Sequence, residues 1–233
     1  HDLNPLALTI TKVRLILHLF EKSQQFSNIV PFLKKFQFQI SCQNSLLQNC
    51  PLQDIIIGNP PFGGTLTSEE IEDLHFPSIS KKNLAKAFVL KSLNWLAPDG
   101  ILNFILPKAI TYTKDWQAIR AHLLHAVVGL YDMKQAFEGV LLEQIILFLR
   151  PSSHAKKYTA NTWSSTQSAI EIDKKFIRDT WYCDLTPEEL ILLTTLWANP
   201  KLTPLSQLIK TFRGLPLQSL SNRSSSSNDL KSP

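Results

Sequence analysis

The spacing of apolar residues changes several times along this chain, and each change marks an expected element. Leu6, Ile10, Val13, Leu17 and Phe20 recur at helical spacing behind Pro5, so residues 4–22 are expected to form a helix with the proline in its first turn. Residues 36–41, "FQFQIS", alternate apolar and polar with period two, the pattern of a half-buried strand. In 54–58, "DIIIG", alternation gives way to a solid aliphatic run, which suits a strand covered on both faces as in parallel α/β sheets. Residues 66–82 are polar, contain Pro77, and read as a long loop with one helical turn. An amphipathic helix follows over 83–96, opened by Asn83, with Leu84, Ala87, Phe88, Leu90, Leu93 and Leu96 apolar. "APDG", 97–100, is a turn, and "ILNFIL", 101–106, is a second buried strand stopped by Pro107.

A helix over 114–125 and strands over 126–133 and 140–149 complete the periodic part. The connection between those two strands is too short for a parallel crossover of ~10–12 residues, so they are expected to pair antiparallel. The order of elements predicts an α/β fold, a mostly parallel sheet with one antiparallel strand near its edge. After Pro151 the pattern fades. Residues 151–181 are polar and irregular, a linker or extended arm. Thr186-Pro187-Glu188-Glu189 opens a helix running to Trp197, within a partly helical segment over 182–220. The Ser-rich end, 221–233, holds too few apolar residues to pack and is expected to be disordered. No internal repeat is present.

Composition narrows this picture only a little. Apolar residues make up 44% of 233, enough for one large domain or a domain with a small appendage. No apolar run approaches the ~18–20 residues of a membrane span; the best candidate, 140–149, is interrupted by Glu143 and Gln144. The first residues lack the basic and apolar regions of a signal peptide. A net charge of +5 is compatible with a polyanionic partner, but the lysines and arginines are scattered and require none. Cys42, Cys50 and Cys183 are odd in number and lack CxxC spacing, which speaks against a disulfide framework or a zinc site and for a reducing compartment. His122 and His125 share a helix face without carboxylate or Cys neighbours, a surface pair rather than a metal pair.

The unusual chemistry follows the aliphatic strand. Asn59-Pro60-Pro61-Phe62 lies just beyond its carboxyl end, where open α/β sheets hold their ligands. As local structure it is a strand-terminating turn: Pro60 keeps Asn59 out of the helical region, and Gly63 and Gly64 allow a tight exit. As chemistry it offers the Asn59 amide oxygen and a backbone carbonyl whose direction Pro60 fixes. Two converging acceptors can clamp an –NH₂ group, and Phe62 offers a flat face to a planar ring. The amine of an aromatic base is a poor nucleophile because its lone pair is delocalised into the ring. Acceptors on its two protons favour a pyramidal nitrogen, so positioning and electrostatics replace a strong general base. In a duplex, such a base is reached by flipping it out of the stack.

"DIIIGNPPF" resembles motif IV of the N6-adenine DNA methyltransferases of restriction–modification systems, which use S-adenosylmethionine. "HDLNPLAL" is similar to motif II, "ISCQNSLL" to motif III, and "NLAKAFVLKSLNWLAPDGILNFILP" to the segment that follows motif IV. "QAIRAHLL" and the strands up to Leu149 resemble the family's last helix and strands. The resemblance implies a Rossmann-like sheet with a partial catalytic domain over 1–150 (motifs II to VIII), and the start of a target-recognition or helical region over 182–220. It implies that Asp2 binds the ribose hydroxyls of S-adenosylmethionine and that Leu3 lies against its adenine; without it, Asp2 is a helix N-cap. It further implies that Asn44 meets the adenine amine, that Asn59, Pro60 and Pro61 hold the target amine, and that Phe62 stacks on the flipped base. Asn59 then borders both substrates.

The implied partners are duplex DNA and a restriction or specificity subunit or domain, in the cytoplasm of a bacterium or archaeon, with no metal and no membrane. Two departures stand out. The family's motif III carries Asp where this chain has Asn44, which keeps an acceptor and loses the charge. No glycine precedes Gly58, so the glycine-rich motif I and the N-terminal strands around it are expected to be missing, in a chain truncated at both ends. Methyl transfer to guanine N2 in ribosomal RNA or to a protein glutamine, and a non-catalytic DNA-binding remnant, stay open as alternatives.

Overall fold

A computed structural model describes residues 3–22, 41–74, 84–137, 139, 141–162, 169–177, 179–203 and 208. The chain divides into two units, His1–Leu190 and Ile191–Pro233. The first is built on a sheet of six strands: β1 (Gln53–Gly58), β2 (Leu96–Pro107), β3 (Val127–Lys134), β4 (Gln144–Leu149), β5 (Lys157–Thr162) and β6 (Ile170–Asp173). Their spatial order is β1-β2-β4-β3-β5-β6. The β1–β2 and β3–β5 pairs are parallel, and the other pairs are antiparallel. Thus β1, β2, β3 and β5 run one way, and β4 and β6 run against them.

The α/β class holds, with a different placement of the reversed strands. The expected antiparallel strand, β4, lies inside the sheet, and a second one, β6, forms an edge. The crossover from β2 to β3 leaves a gap one strand wide, and the chain turns back from β3 to fill it. β4 pairs with Leu102–Pro107 of β2 on one side and with β3 on the other, so its backbone groups are satisfied along both edges.

β1 sits at the opposite edge with β2 as its neighbour. Its isoleucine run is not covered on both faces among the described residues: Ile55 is 63% exposed and Ile57 75%, while Ile56 packs against the core. An edge strand has one neighbour instead of two, and composition alone does not reveal which place a strand takes.

β2 absorbs the expected turn. Gln53 pairs with Leu96 and Ile55 with Ile101, so residues 97–100 bulge out opposite Asp54. A Cβ on Gly100 would lie 2.8 Å from the carbonyl oxygen of Gln53, so the bulge needs glycine there.

Among the described residues the α-helices are α1 (Pro5–Lys22), α2 (Ser68–Leu74), α3 (Leu84–Leu93), α4 (Gln117–Leu123) and α5 (Pro187–Ala198). Asn4 caps α1, its Oδ1 accepting from the Leu6 N–H at 2.9 Å, and Pro5 takes the first turn as expected. The apolar stripe of α1, Leu6 to Phe20, is exposed. Residues 68–74 form two helical turns where one was expected. α3 is buried on nearly every side rather than along one face, including Lys86, Lys91 and Ser92. It lies against β2, α2 and the 3₁₀ turn Ser45–Leu47, and the Lys86 side chain is 1% exposed. That ammonium sits 2.6 Å from Asp115 and 5.2 Å from the centre of the Trp116 ring.

The segment read as a linker instead extends the sheet with β5 and β6. Tyr158 and Ala160 of β5 and Ile172 of β6 are fully buried. Their inward alternation is only a few residues long and is flanked by Thr, Asn and Lys, which hides it in the sequence. The Tyr158 hydroxyl donates to the Tyr182 carbonyl at 2.9 Å and accepts from the Tyr182 N–H at 3.0 Å, fastening residues 181–183 to the sheet. Thr186 and Glu189 cap α5 reciprocally, as their spacing predicted. The boundary between the two units falls inside α5. The strand expected at 36–41, apart from Ser41, and the tail at 221–233 lie outside the described residues. Among the described residues, no helix is long and apolar enough to cross a membrane.

Candidate active site

β1 ends at Gly58, which pairs with Phe104 of β2. A Cβ on Gly58 would stand 2.9 Å from the Phe104 ring, so glycine lets that ring lie across the strand end. The chain then leaves the sheet through Asn59, Pro60 and Pro61, of which Pro60 is buried. Gly64 turns the loop with φ of +118°, and a side chain there would collide with Leu84. Leu66, 2% exposed, anchors the loop in the core before Thr67 opens α2.

This route places one cavity of about 540 Å³ against the carboxyl end of β1. Leu3, Asn44, Asn59, Pro60 and Pro61 all line it, although 56 positions separate the first from Asn59. Ile56, Phe88 and Phe104 form its apolar walls, and Ser92 and Trp95 border it near the amino end of β1. The Ser92 Oγ and Trp95 Nε1 atoms are buried without a hydrogen-bond partner. Among the described residues the Asn59 side chain also makes no hydrogen bond, which leaves its oxygen available. Phe62 is half-buried and is not part of the lining. Asp2 lies outside the described residues.

Asn44 is held from two directions. Its Oδ1 accepts from the Leu46 N–H at 3.0 Å, capping the 3₁₀ turn, and its Nδ2 donates to Glu70 Oε1 at 2.7 Å. Glu70, 6% exposed, uses its other oxygen to accept from the Thr67 N–H at 2.6 Å. The Glu70 N–H donates back to Thr67 Oγ1 at 3.2 Å, a reciprocal cap for α2. Burial alone would raise the Glu70 pKa, but the hydrogen bonds from Asn44 and Thr67 outweigh it and hold the carboxyl below its usual range. A second carboxylate at position 44 would face Glu70 across 2.7 Å, so the amide there suits its neighbour. The Thr-x-x-Glu spacing of the cap is visible in the sequence, whereas the burial of Glu70 and its reach to Asn44 are not.

The cavity suits a nucleoside-bearing cofactor such as S-adenosylmethionine. Its volume falls within the ~300–1,000 Å³ of pockets that take ligands of that size. Flat apolar walls accept a purine ring, amide oxygens accept its amine, and the two orphaned donors call for acceptors.

A second charged cluster lies farther along the same end of the sheet. Lys108, just after β2, reaches Asp132 at 2.9 Å, Asp184 at 2.8 Å and Glu143 at 3.2 Å. Lys134 closes on Asp132 at 2.6 Å and takes a left-handed backbone, φ 54°. Burial would raise the Asp132 pKa, yet hydrogen bonds from Lys134 and Lys108 carry it below its ordinary value. The ammonium of Lys108 is likewise desolvated, but its bonds to Asp184 and Asp132 hold its pKa above the ordinary range. Burial first, then the nearby Asp184 and Asp132, push the Cys183 thiol up to about 12, so it stays protonated. Every cation here is neutralised, and the cluster ties residues 183–184 to β2 and β3.

Residues 1–137 match the family described as Eco57I restriction-modification methylase. Among solved structures, a type I restriction-modification assembly is similar at 15% identity over 83% of this chain and 41% of its own, with a TM-score of 0.47. The type I methyltransferase subunit from Streptococcus thermophilus is similar at 14% identity over 65% of this chain and 32% of its own, at 0.44. The type IIG restriction endonuclease BpuSI is similar at 12% identity over 57% and 21%, at 0.47. The chain therefore spans about a fifth to two fifths of these structures, none of which reaches a TM-score of 0.5, and the family assignment rests on the sequence match. No curated protein sequence matches the chain.

Proposed function

This chain belongs to the Eco57I restriction-modification methylase family, and from that premise we propose that it serves methyl transfer from S-adenosylmethionine to the N6 amine of an adenine flipped out of duplex DNA. One observation carries the reading: Leu3, Asn44, Asn59, Pro60 and Pro61, drawn from three separate motifs, line a single cavity at the carboxyl end of β1. Bound there, S-adenosylmethionine supplies an electrophilic methyl group on its sulfur. Leu3 and the walls at Phe88 and Phe104 seat its purine, and Asn44 accepts from the purine amine. Asn59 Oδ1 and the carbonyl fixed by Pro60 accept the two protons of the target amine, which turns the nitrogen lone pair toward the methyl carbon. With the amine so held, the chain's part would be to aim its nitrogen at the methyl group the cofactor supplies, and the surplus amine proton would pass to solvent. In this reading Phe62, outside the cavity lining, stacks on the flipped base. The protein works with a restriction or specificity subunit or domain, in the cytoplasm of a bacterium or archaeon.

Labelled S-adenosylmethionine and duplex DNA, followed by digestion and detection of N6-methyladenine, test this reading. Asn59→Ala should lower methyl transfer at least about 100-fold while leaving cofactor binding near normal. Methylation at the wild-type rate by that variant would remove Asn59 from the mechanism.

A further inference from the structure

The hydrogen bonds around Asn44 reach beyond the cavity wall, to a residue that no motif includes. We propose that Glu70 is a positioning residue for recognition of the adenosyl group: it orients the Asn44 amide so that the oxygen, rather than the nitrogen, is what Asn44 offers the cavity. The inference rests on the reading of this cavity as the adenosyl site.

An asparagine amide presents a donor on one side and an acceptor on the other, and its orientation follows its partners. Here Glu70 Oε1 stands 2.7 Å from Asn44 Nδ2, and only a donor satisfies a carboxylate at that distance. The Leu46 N–H, 3.0 Å from Oδ1, demands an acceptor on the other side. Both partners choose the same orientation. Oδ1 has a second lone pair, and the carboxylate on Nδ2–H pushes electron density toward that oxygen, making it a better acceptor for a purine amine. A carboxylate at position 44 could meet that amine directly. This chain places the carboxylate one hydrogen bond farther out, at Glu70, and passes its influence through an amide.

The two oxygens of Glu70 do separate work, and that makes the inference testable without losing the fold. Oε2 caps α2 at Thr67, and a glutamine performs that cap equally well. Glutamine has a single oxygen, however. Once that oxygen faces the Thr67 N–H, its –NH₂ faces Asn44, whose single oxygen can then meet that amide or the Leu46 N–H but not both. Glu70→Gln therefore keeps the cap and leaves the Asn44 amide without one fixed orientation. Adding Asn44→Asp restores the acceptor, because Asp accepts from the Gln amide and from Leu46 and keeps acceptor capacity for the cavity.

The probes are adenosine, with an amine at the six position, and inosine, with a carbonyl there. Affinities are measured by NMR shift titration of the whole chain in an Asn59→Ala background, so that the target-amine clamp does not contribute. With Glu70 in place, adenosine should be preferred at least tenfold. Glu70→Gln should weaken or erase that preference while the melting temperature moves by no more than about 3 °C. Glu70→Gln with Asn44→Asp should return the preference to within about threefold of the starting value. These expectations come from the loss and recovery of one polar contact to a buried acceptor. An unchanged preference in Glu70→Gln, or failure of the double change to restore it, overturns the role of Glu70. A starting protein that binds neither nucleoside, or shows no preference, overturns the adenosyl reading itself, and that result is seen before position 70 is altered.

Discussion

β1 and β4 are written in nearly the same letters, "DIIIG" and "QIILFL", and the protein uses them in opposite ways. β4 lies between β2 and β3, and Ile145, Leu147 and Leu149 are 0% exposed. Among the described residues β1 has one neighbour, and Ile55 is 63% exposed. An aliphatic run measures how much apolar surface a strand could bury, while its place in the sheet decides how much it does bury. The difference also divides the labour. β4 locks together strands that come from both sides of a crossover, whereas β1 delivers Asn59 and Pro60 to the cavity at its end. The first role needs burial; the second needs a fixed exit, which Gly58 and Phe104 provide.

Truncating the centre should show the largest effect. Leu147→Ala removes a fully buried side chain from the middle of the sheet and should cost about 3–4 kcal/mol of stability in denaturant unfolding. A cost below about 1 kcal/mol would mean that β4 is not central to the core. Asp132, also fully buried, comes next. Asp132→Ala leaves Lys108 and Lys134 without their shared partner and should cost about 3 kcal/mol, toward the lower end for a broken buried pair because Asp184 remains.

The same carboxylate predicts a pH dependence. Its folded pKa lies below the ordinary value of about 4, so its contribution is complete above that pH and is lost as the pH falls through the folded value. Melting curves should drop on that acid limb, and Asp132→Asn should flatten the drop. An acid limb unchanged by Asp132→Asn would assign it to other groups.

Much of this was legible in the sequence, for reasons that the exceptions make clear. Period marks α1, β1, β2, β3 and β4 because each spans enough residues for a pattern to repeat, and Gly58 and Pro107 punctuate the ends of β1 and β2. β5 and β6 escape notice because Tyr158, Ala160 and Ile172 are too few to form a period and sit among polar residues. The order β1-β2-β4-β3 is hidden for a different reason: insertion of β4 between two strands is a tertiary fact, and a short β3–β4 connection is equally compatible with an outermost β4. Within the site, Asn59 and Pro60 are legible because two converging acceptors just past a strand's carboxyl end suit an amine, and Asn44 is legible only through the resemblance to motif III. Glu70 is not, since a Glu three residues after Thr reads as a helix cap and nothing more. Its second oxygen carries the information, and only the fold shows where that oxygen points.

Two smaller effects sharpen the contrast at the β1 end. Gly64→Ala must adopt φ of +118° and displace Leu84, which should cost about 1–2 kcal/mol and loosen the loop between Asn59 and the core. A variant of unchanged stability would show that this turn is not held in the left-handed region. Ile55→Ala should cost least, under about 1 kcal/mol, because most of the side chain is already in water and little apolar area is lost. Ile55 does not line the cavity, so nucleoside affinity should not move either. This change makes the sharpest test of the comparison, since it removes the same aliphatic carbons from β1 that Leu147→Ala removes from β4. A cost of about 2 kcal/mol or more would mean that Ile55 is covered in solution. That face of β1 would then be packed, and the two strands would differ less in burial than in what they deliver to the site.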